Sequence, residues 1–221
     1  MFSFQKYEGL RIEIIAARSK CYSDGTWSRS MSRIIENLLD EHRNIEKLLH
    51  ILEQELEIFD RGESLDYQIL QAIIDYFQDY PESYHHPKED IVFEKLRLRD
   101  PAVARQIDDA ETEHQAETNR LRQFARAVED ILAGRELLRQ AVHNVARDFV
   151  EHQRQHMAKE ERLLFPAAVK ALRPEDWVEI NARLSARKDS LFDYSTEKKF
   201  HALQQTIMRW EQETEVSRMK S

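Results

Sequence analysis

From residue 34 onward, apolar side chains recur every three or four positions, in blocks separated by glycine, proline and polar residues. Ile34, Ile35, Leu38, Leu39, Ile45, Leu48, Leu49 and Leu52 form the first block, which ends at Arg61-Gly62. That spacing lines one face of an α-helix, and a glycine just past the last apolar residue is a stop signal. The second block begins after Ser64, carries Leu65, Ile69, Leu70, Ile73, Ile74 and Phe77, and reaches about Arg99. Pro81 and Pro87 predict kinks inside it. Asp100-Pro101 reads as an N-cap followed by a first helical proline. A third helix runs from there through Leu121, Phe124 and Val128 to Gly134. A fourth carries Leu137, Leu138, Ala141, Val145, Phe149, Leu163 and Leu164 to about Arg173, with a kink at Pro166. Amphipathic helices joined by short turns predict an all-α fold, an up-down antiparallel four-helix bundle over residues 31–173. Pro174-Glu175-Asp176-Trp177 then opens a short helix, and a polar connection through Ser190 and Asp193 leads to a final helix with Phe200, Leu203, Ile207 and Trp210. Residues 174–221 are expected to pack on the bundle as an extension, and residues 1–30 read as an N-terminal extension of unspecified structure.

Composition supports this. Only four glycines and five prolines interrupt 221 residues, and a third of the chain is charged, which suits long helices. A net charge of -8 without a dense basic segment argues against a nucleic-acid partner. Cys21 is the only cysteine, so neither a disulfide framework nor a cysteine-rich zinc or iron–sulfur site is expected. No apolar run approaches the roughly 20 residues of a membrane span. Arg11 and Glu13 interrupt the apolar start that a secretory signal needs, so a cytoplasmic protein without a membrane partner is expected.

The apolar faces carry histidines. His85-His86-Pro87-Lys88-Glu89-Asp90 and His156-Met157-Ala158-Lys159-Glu160-Glu161 share the pattern H-x-x-K-E-[D/E], and Glu41-His42 is echoed by Glu113-His114. A histidine and a glutamate four residues apart lie one helical turn apart on one face. Counting from each turn tests whether the four helices bring these residues to one height. His42 lies 20 residues before Gly62 and His85 lies 23 after it; His114 lies 20 before Gly134 and His156 lies 22 after it. His85 is 15 residues before Asp100 and His114 is 14 after. At about 1.5 Å per residue, all four share a level within roughly 5 Å. A lone histidine on an apolar face is usually a hydrogen-bonded core residue. Four imidazoles and two carboxylates buried at one height would be costly unless cations compensate them. Imidazole and carboxylate donors suit iron, manganese or zinc, and six ligands suit two ions bridged by carboxylates. Glu89 and Glu160 are then the bridges, with His42, His85, His114 and His156 terminal.

Asp40-Glu41-His42, His85-His86-x-x-Glu89-Asp90, Glu113-His114 and His156-x-x-x-Glu160-Glu161 with Leu164-Phe165-Pro166 resemble the hemerythrin-like, or HHE cation-binding, family. The resemblance spans about Met31 to Arg173. The tail, with Asp176-Trp177 and Leu191-Phe192, also resembles extensions of bacterial members. It implies a four-helix bundle holding a non-haem di-iron centre, two iron ions, that meets dioxygen or another small diatomic or peroxide ligand. The implied metal ligands are His42, His85, Glu89, His114, His156 and Glu160.

Oxygen-carrying members bring two histidines from the third helix, whereas Ala110 and Thr118 flank His114 here at one turn. One imidazole is therefore missing, which favours reactivity or sensing over carriage. His152 and His86 are potential substitutes, but on a straight helix His86 points about 100° away from His85, and His152 reads as a residue behind the ligands or along a channel. Asp90 and Glu161 turn away from Glu89 and Glu160 in the same way and read as solvated or supporting acids. Tyr84 reads as core with a hydroxyl able to reach a bound ligand. His50, His143 and His201 lie off the ligand face. Three functions follow: a di-iron protein binding dioxygen or a related molecule in oxygen or iron sensing, storage or stress response; a di-iron enzyme reducing dioxygen, peroxide or nitric oxide or assisting iron-centre repair; and a helical partner-binding module with a structural metal site.

Overall fold

The chain's structure, a computed structural model, describes residues 27–63, 65–135, 139–190 and 194–218. Cys21 and most of the expected N-terminal extension lie outside the described residues. The described residues form helices α1 (Trp27–Asp60), α2 (Tyr67–Tyr80), α3 (His86–Arg99), α4 (Ala104–Leu132), α5 (Arg139–Lys159), α6 (Phe165–Ala171), α7 (Pro174–Ser190) and α8 (Tyr194–Arg218). No strand occurs among them.

Local chemistry sets the ends. Gly62 and Gly134 adopt φ of 82° and 69°, the left-handed conformation that closes α1 and α4 at little steric cost. The Asp66 side chain accepts from the amides of Gln68 and Ile69 and starts α2. Asp100 accepts from the amide of Ala102, and Pro101 opens a 3₁₀ turn that leads into α4.

The prolines do not break their helices. π-helical turns at Pro81–His85 and Glu160–Leu164 join α2 to α3 and α5 to α6, so each pair continues as one rod. The residue just before each proline carries the wide bond: the His86 amide donates to Pro81 carbonyl, and the Phe165 amide to Glu160 carbonyl. Pro87 and Pro166 have no N–H to donate and a ring that crowds the preceding turn. Inserting one extra residue relieves that crowding.

Around the molecule, α1 packs on α2 and α5, α4 packs on α2, α3 and α5, and α3 meets α6. The apolar interior is in two parts. One gathers Leu48, Leu52, Ile73, Phe77, Phe124 and Phe149; the other gathers Ile35, Leu38, Phe93, Leu96, Ile107 and Phe165. Buried polar side chains lie between them in the chain order of every rod. Beyond the bundle rods, α7 runs 17 residues, longer than the short helix expected, and packs on α1 and α3. Its Trp177 is buried, and Asp176 accepts two bonds of 2.8 Å from the Arg99 guanidinium and one of 2.8 Å from the Arg173 amide. Helix α8 packs on α1 and α2 through Phe200 and Ile207.

Candidate metal centre

His42 of α1, His85 at the end of the first π turn, His114 of α4 and His156 of α5 all turn inward and are buried. They meet in two pairs: His42 Nε2 lies 3.0 Å from His85 Nε2, and His114 Nε2 lies 3.1 Å from His156 Nε2. Glu89 and Glu160, both fully buried, lie between the pairs. Oε1 of Glu89 is 3.4 Å from both His42 and His85 Nε2, and its Oε2 is 4.0 Å from His114 Nε2. Glu160 is arranged in the opposite sense: Oε1 is 3.2 Å from His156 Nε2 and 3.9 Å from His114 Nε2, and Oε2 is 3.5 Å from His42 Nε2. Each carboxylate thus directs one oxygen to each histidine pair.

Carboxylates also stand behind the histidines. His85 Nδ1 meets Glu41 at 2.8 Å, His42 Nδ1 meets Glu161 at 3.0 Å, and His156 Nδ1 meets Glu113 at 3.1 Å. An Nδ1–H donated to a carboxylate leaves Nε2 as a bare acceptor. In the first pair, two acceptors then face each other at 3.0 Å with a third, Glu89 Oε1, at 3.4 Å. The oxygens of Glu89 and Glu160 are buried without a hydrogen-bond partner. Converging acceptors of this kind repel unless positive charge sits among them, so the residues fit a metal ion. Histidine and carboxylate clusters able to hold one comprise His42, His85 and Glu89 on one side, and His86, Glu89, His114 and His156 on the other.

The repeat in the sequence becomes a repeated structure. Glu41 on α1 serves His85, and Lys88, three residues after that histidine, donates to the other Glu41 oxygen. Glu113 on α4 serves His156, and Lys159 donates to it at 3.0 Å. The glutamate preceding one histidine of a pair therefore orients the other histidine. The two halves differ in shelter, since the Glu41 side chain is 12% exposed and that of Glu113 is 34% exposed.

The π turns change which neighbours point inward. On a straight helix His86 and Glu161 would turn away, but a wider turn shifts the phase, and both are buried. Glu161 supports His42. His86 stacks on His114 with ring centroids 3.6 Å apart and planes 9° apart. Its Nε2 lies 3.8 Å from Glu117 Oε2, and Glu117 is itself buried. Asp90 remains exposed. His152 is partly exposed beside Asp148, His143 bonds Asp60, and His50 and His201 are exposed, all away from the centre. Tyr84 is buried beneath the Lys88 ammonium, 3.3 Å from its ring centroid. Thr118 donates its hydroxyl to the His114 carbonyl and to Glu82 rather than to the centre.

Electrostatics carries the same message. Burial alone would drive protons off His42, but Glu161, Glu89 and Glu160 outweigh it and raise its pKa to about 10. His156 is likewise raised against the effect of burial by Glu160, Glu117 and Glu113. Burial lowers His114 to about 4 with help from His156, and raises Glu117 to about 8. Surrounding carboxylates thus draw positive charge into the centre even without a metal.

An all-helical protein with a buried, doubled set of imidazoles and carboxylates between its helices belongs to the metal-binding helical proteins. The family model described as hemerythrin HHE cation binding domain matches residues 33–168, and the chain belongs to that family. No curated protein and no solved structure matches it significantly. None of the helices among the described residues is long and apolar enough to cross a membrane.

Proposed function

We propose that this chain is a cytoplasmic non-haem di-iron protein, built as an up-down four-helix bundle, that binds dioxygen or a related small molecule in oxygen or iron sensing, storage or stress response. The observation that supports it most is the way Glu89 and Glu160 each direct one oxygen to His42–His85 and the other to His114–His156. Carboxylates placed so could hold two ions together with the four imidazoles. His42 and His85 would hold one ion, and His114 and His156 the other. Glu161, Glu41 and Glu113 keep three of those imidazoles in the tautomer that offers Nε2. Iron in this ligand set would supply reversible redox chemistry toward dioxygen, peroxide or nitric oxide.

Anaerobic reconstitution with ferrous iron tests the reading. Two irons per chain and an absorbance change on admitting oxygen are expected, and a chain that retains no stoichiometric iron would sink it. Neither residue one turn from His114 offers an imidazole, since Ala110 has no donor and the Thr118 hydroxyl bonds Glu82 and the His114 carbonyl, which favours the enzymatic variant. Steady consumption of peroxide or nitric oxide with a reductant separates turnover from binding.

A further inference from the structure

Helix α8 bridges, from outside, the two elements that supply the first histidine pair. Its residues Phe200, Gln204 and Ile207 lie on one face at helical spacing, and all three are buried. Phe200 meets Tyr80 edge-on with ring centroids 5.1 Å apart, and Tyr76 at 6.0 Å. The Tyr80 ring in turn lies nearly parallel to that of His85, with 13° between the planes and 6.3 Å between centroids. A second arm runs to α1, where the Gln204 side-chain amide donates to the Asn44 carbonyl at 3.2 Å. Asn44 follows His42 by two residues and Tyr80 precedes His85 by five. At roughly 1.5 Å per residue, both arms land within about 8 Å of the pair along the rods.

Gln204 stands in the inward stripe, where an apolar side chain would pack without a partner. A buried amide is costly unless it is bonded, and a helix carbonyl keeps a second lone pair that accepts it. One buried polar contact of this kind fixes register, so α8 is held at one height on α1. On the inner side, α1 and the first π turn meet through His42 and His85, 3.0 Å apart, and through Glu41 and His85 at 2.8 Å. An ion held by His42 and His85 would tie together the same two elements that α8 grips from outside. Two ties that favour one arrangement of the same elements strengthen each other, and the effect is reciprocal.

We propose that docking of α8 is coupled to metal occupancy of the His42–His85 position, so that the helix loosens when the ion leaves and carries the state of the centre to the surface. This coupling rests on the reading of His42 and His85 as metal ligands and needs neither a second ion nor redox chemistry.

Amide hydrogen exchange of the 221-residue chain, with and without ferrous iron added anaerobically and with iron content measured on the same samples, tests it. Peripheral helices open locally at less cost than the whole fold, so general stabilisation by the ion leaves their exchange unchanged. Amides of residues 200–207 are expected to exchange about tenfold more slowly in the iron-loaded chain, a coupling of ordinary size. Those of α7, which packs in the other apolar cluster through Trp177 and Ile180, are expected to change less than twofold. Phe200→Ala is expected to leave α8 exchanging fast with or without iron and, by reciprocity, to weaken iron about tenfold in competition with a chelator. Gln204→Ala is expected to move both readouts in the same direction, and it decides the matter if Phe200→Ala loses its native circular dichroism. Ile180→Ala, a cavity in α7, is expected to bind iron as the wild type does. An iron-loaded wild type whose α8 exchanges as in the iron-free chain overturns the coupling, and so does an equal slowing of α7. Iron affinity within twofold of wild type in Phe200→Ala and Gln204→Ala overturns it as well, as does an Ile180→Ala variant that loses as much affinity as they do. A wild type that takes up no iron instead removes the metal reading of the pair, and the coupling falls with it.

Discussion

Glu41 and Glu113 each precede a histidine in the chain, yet each orients the histidine of the neighbouring rod. Removing such a carboxylate frees the imidazole to rotate and to switch tautomer, which typically lowers metal affinity by about 10- to 100-fold. Glu41→Ala is expected to show the larger loss, because its carboxylate is the more sheltered and so the less replaceable by water. Competition with a chelator measures both, and equal affinities in wild type and Glu41→Ala would falsify the orienting role. Protons compete for the same atoms. His42 holds its proton up to about 10 instead of its ordinary 6.5, so metal uptake must expel a proton through neutral pH. Apparent metal affinity should therefore keep rising from pH 7 towards 10. Stability of the metal-free protein should move the other way. A raised histidine pKa contributes stability that is complete below 6.5 and lost as pH rises through 10. Glu117, raised from 4.5 to about 8, adds a loss in the same direction as pH rises through 8. A melting temperature that stays flat or climbs between pH 7 and 10 in chelated protein counts against this.

At the scale of elements, the two π turns decide which residues enter the centre. Each supplies one residue more than an α-helix would, which lets Glu160 and Glu161 both be buried, and His85 and His86 likewise. Deleting the exposed Ser83 would return the first π turn to α-helical pitch and rotate α3 by about 100° relative to α2. Helical circular dichroism is then expected to persist while metal capacity falls and stability drops by about 3 kcal/mol. A deletion variant that binds metal normally would show that the extra residue does not set the register. The same turns mark where the sequence could and could not be read. Gly62, Gly134 and Asp100 act through their own backbone conformation or side chain, so local signals sufficed for the helix ends. His42, His85, Glu89, His114, His156 and Glu160 come together as turn-centred counting expects, because height along a rod changes little when one residue is inserted. Angular position does change, by about a quarter turn. That is why counting at 3.6 residues per turn sent His86 and Glu161 outward, although Pro87 and Pro166 marked both places. Glu117 carried no signal at all: an acid three residues after a histidine on a polar helix looks like any solvated glutamate.

Across the whole molecule, the polar layer separates two apolar clusters that would otherwise be one continuous core. Without a metal ion, that layer depends on protons held by His42 and His156 among its carboxylates, so the bundle is held mainly by apolar packing on either side and by links outside it. The Arg154 guanidinium joins α5 to Glu46 and Glu53 of α1, and Asp176 ties α7 to Arg99 of α3. These links brace the rods from outside while leaving the middle dependent on charge compensation. Metal binding should then appear as folding stability. At a free concentration about 1,000 times Kd, binding to the native state contributes roughly 4 kcal/mol, and for a chain of this size each kcal/mol moves the melting temperature by about 2–4 °C. A rise of roughly 10 °C on metal loading is expected. The double variant Glu89→Ala and Glu160→Ala should lose that rise, because it removes the two carboxylates that face both histidine pairs. Scanning calorimetry of both proteins with and without metal decides it. A double variant that keeps the full rise on metal loading would mean that the ion is held without these two carboxylates.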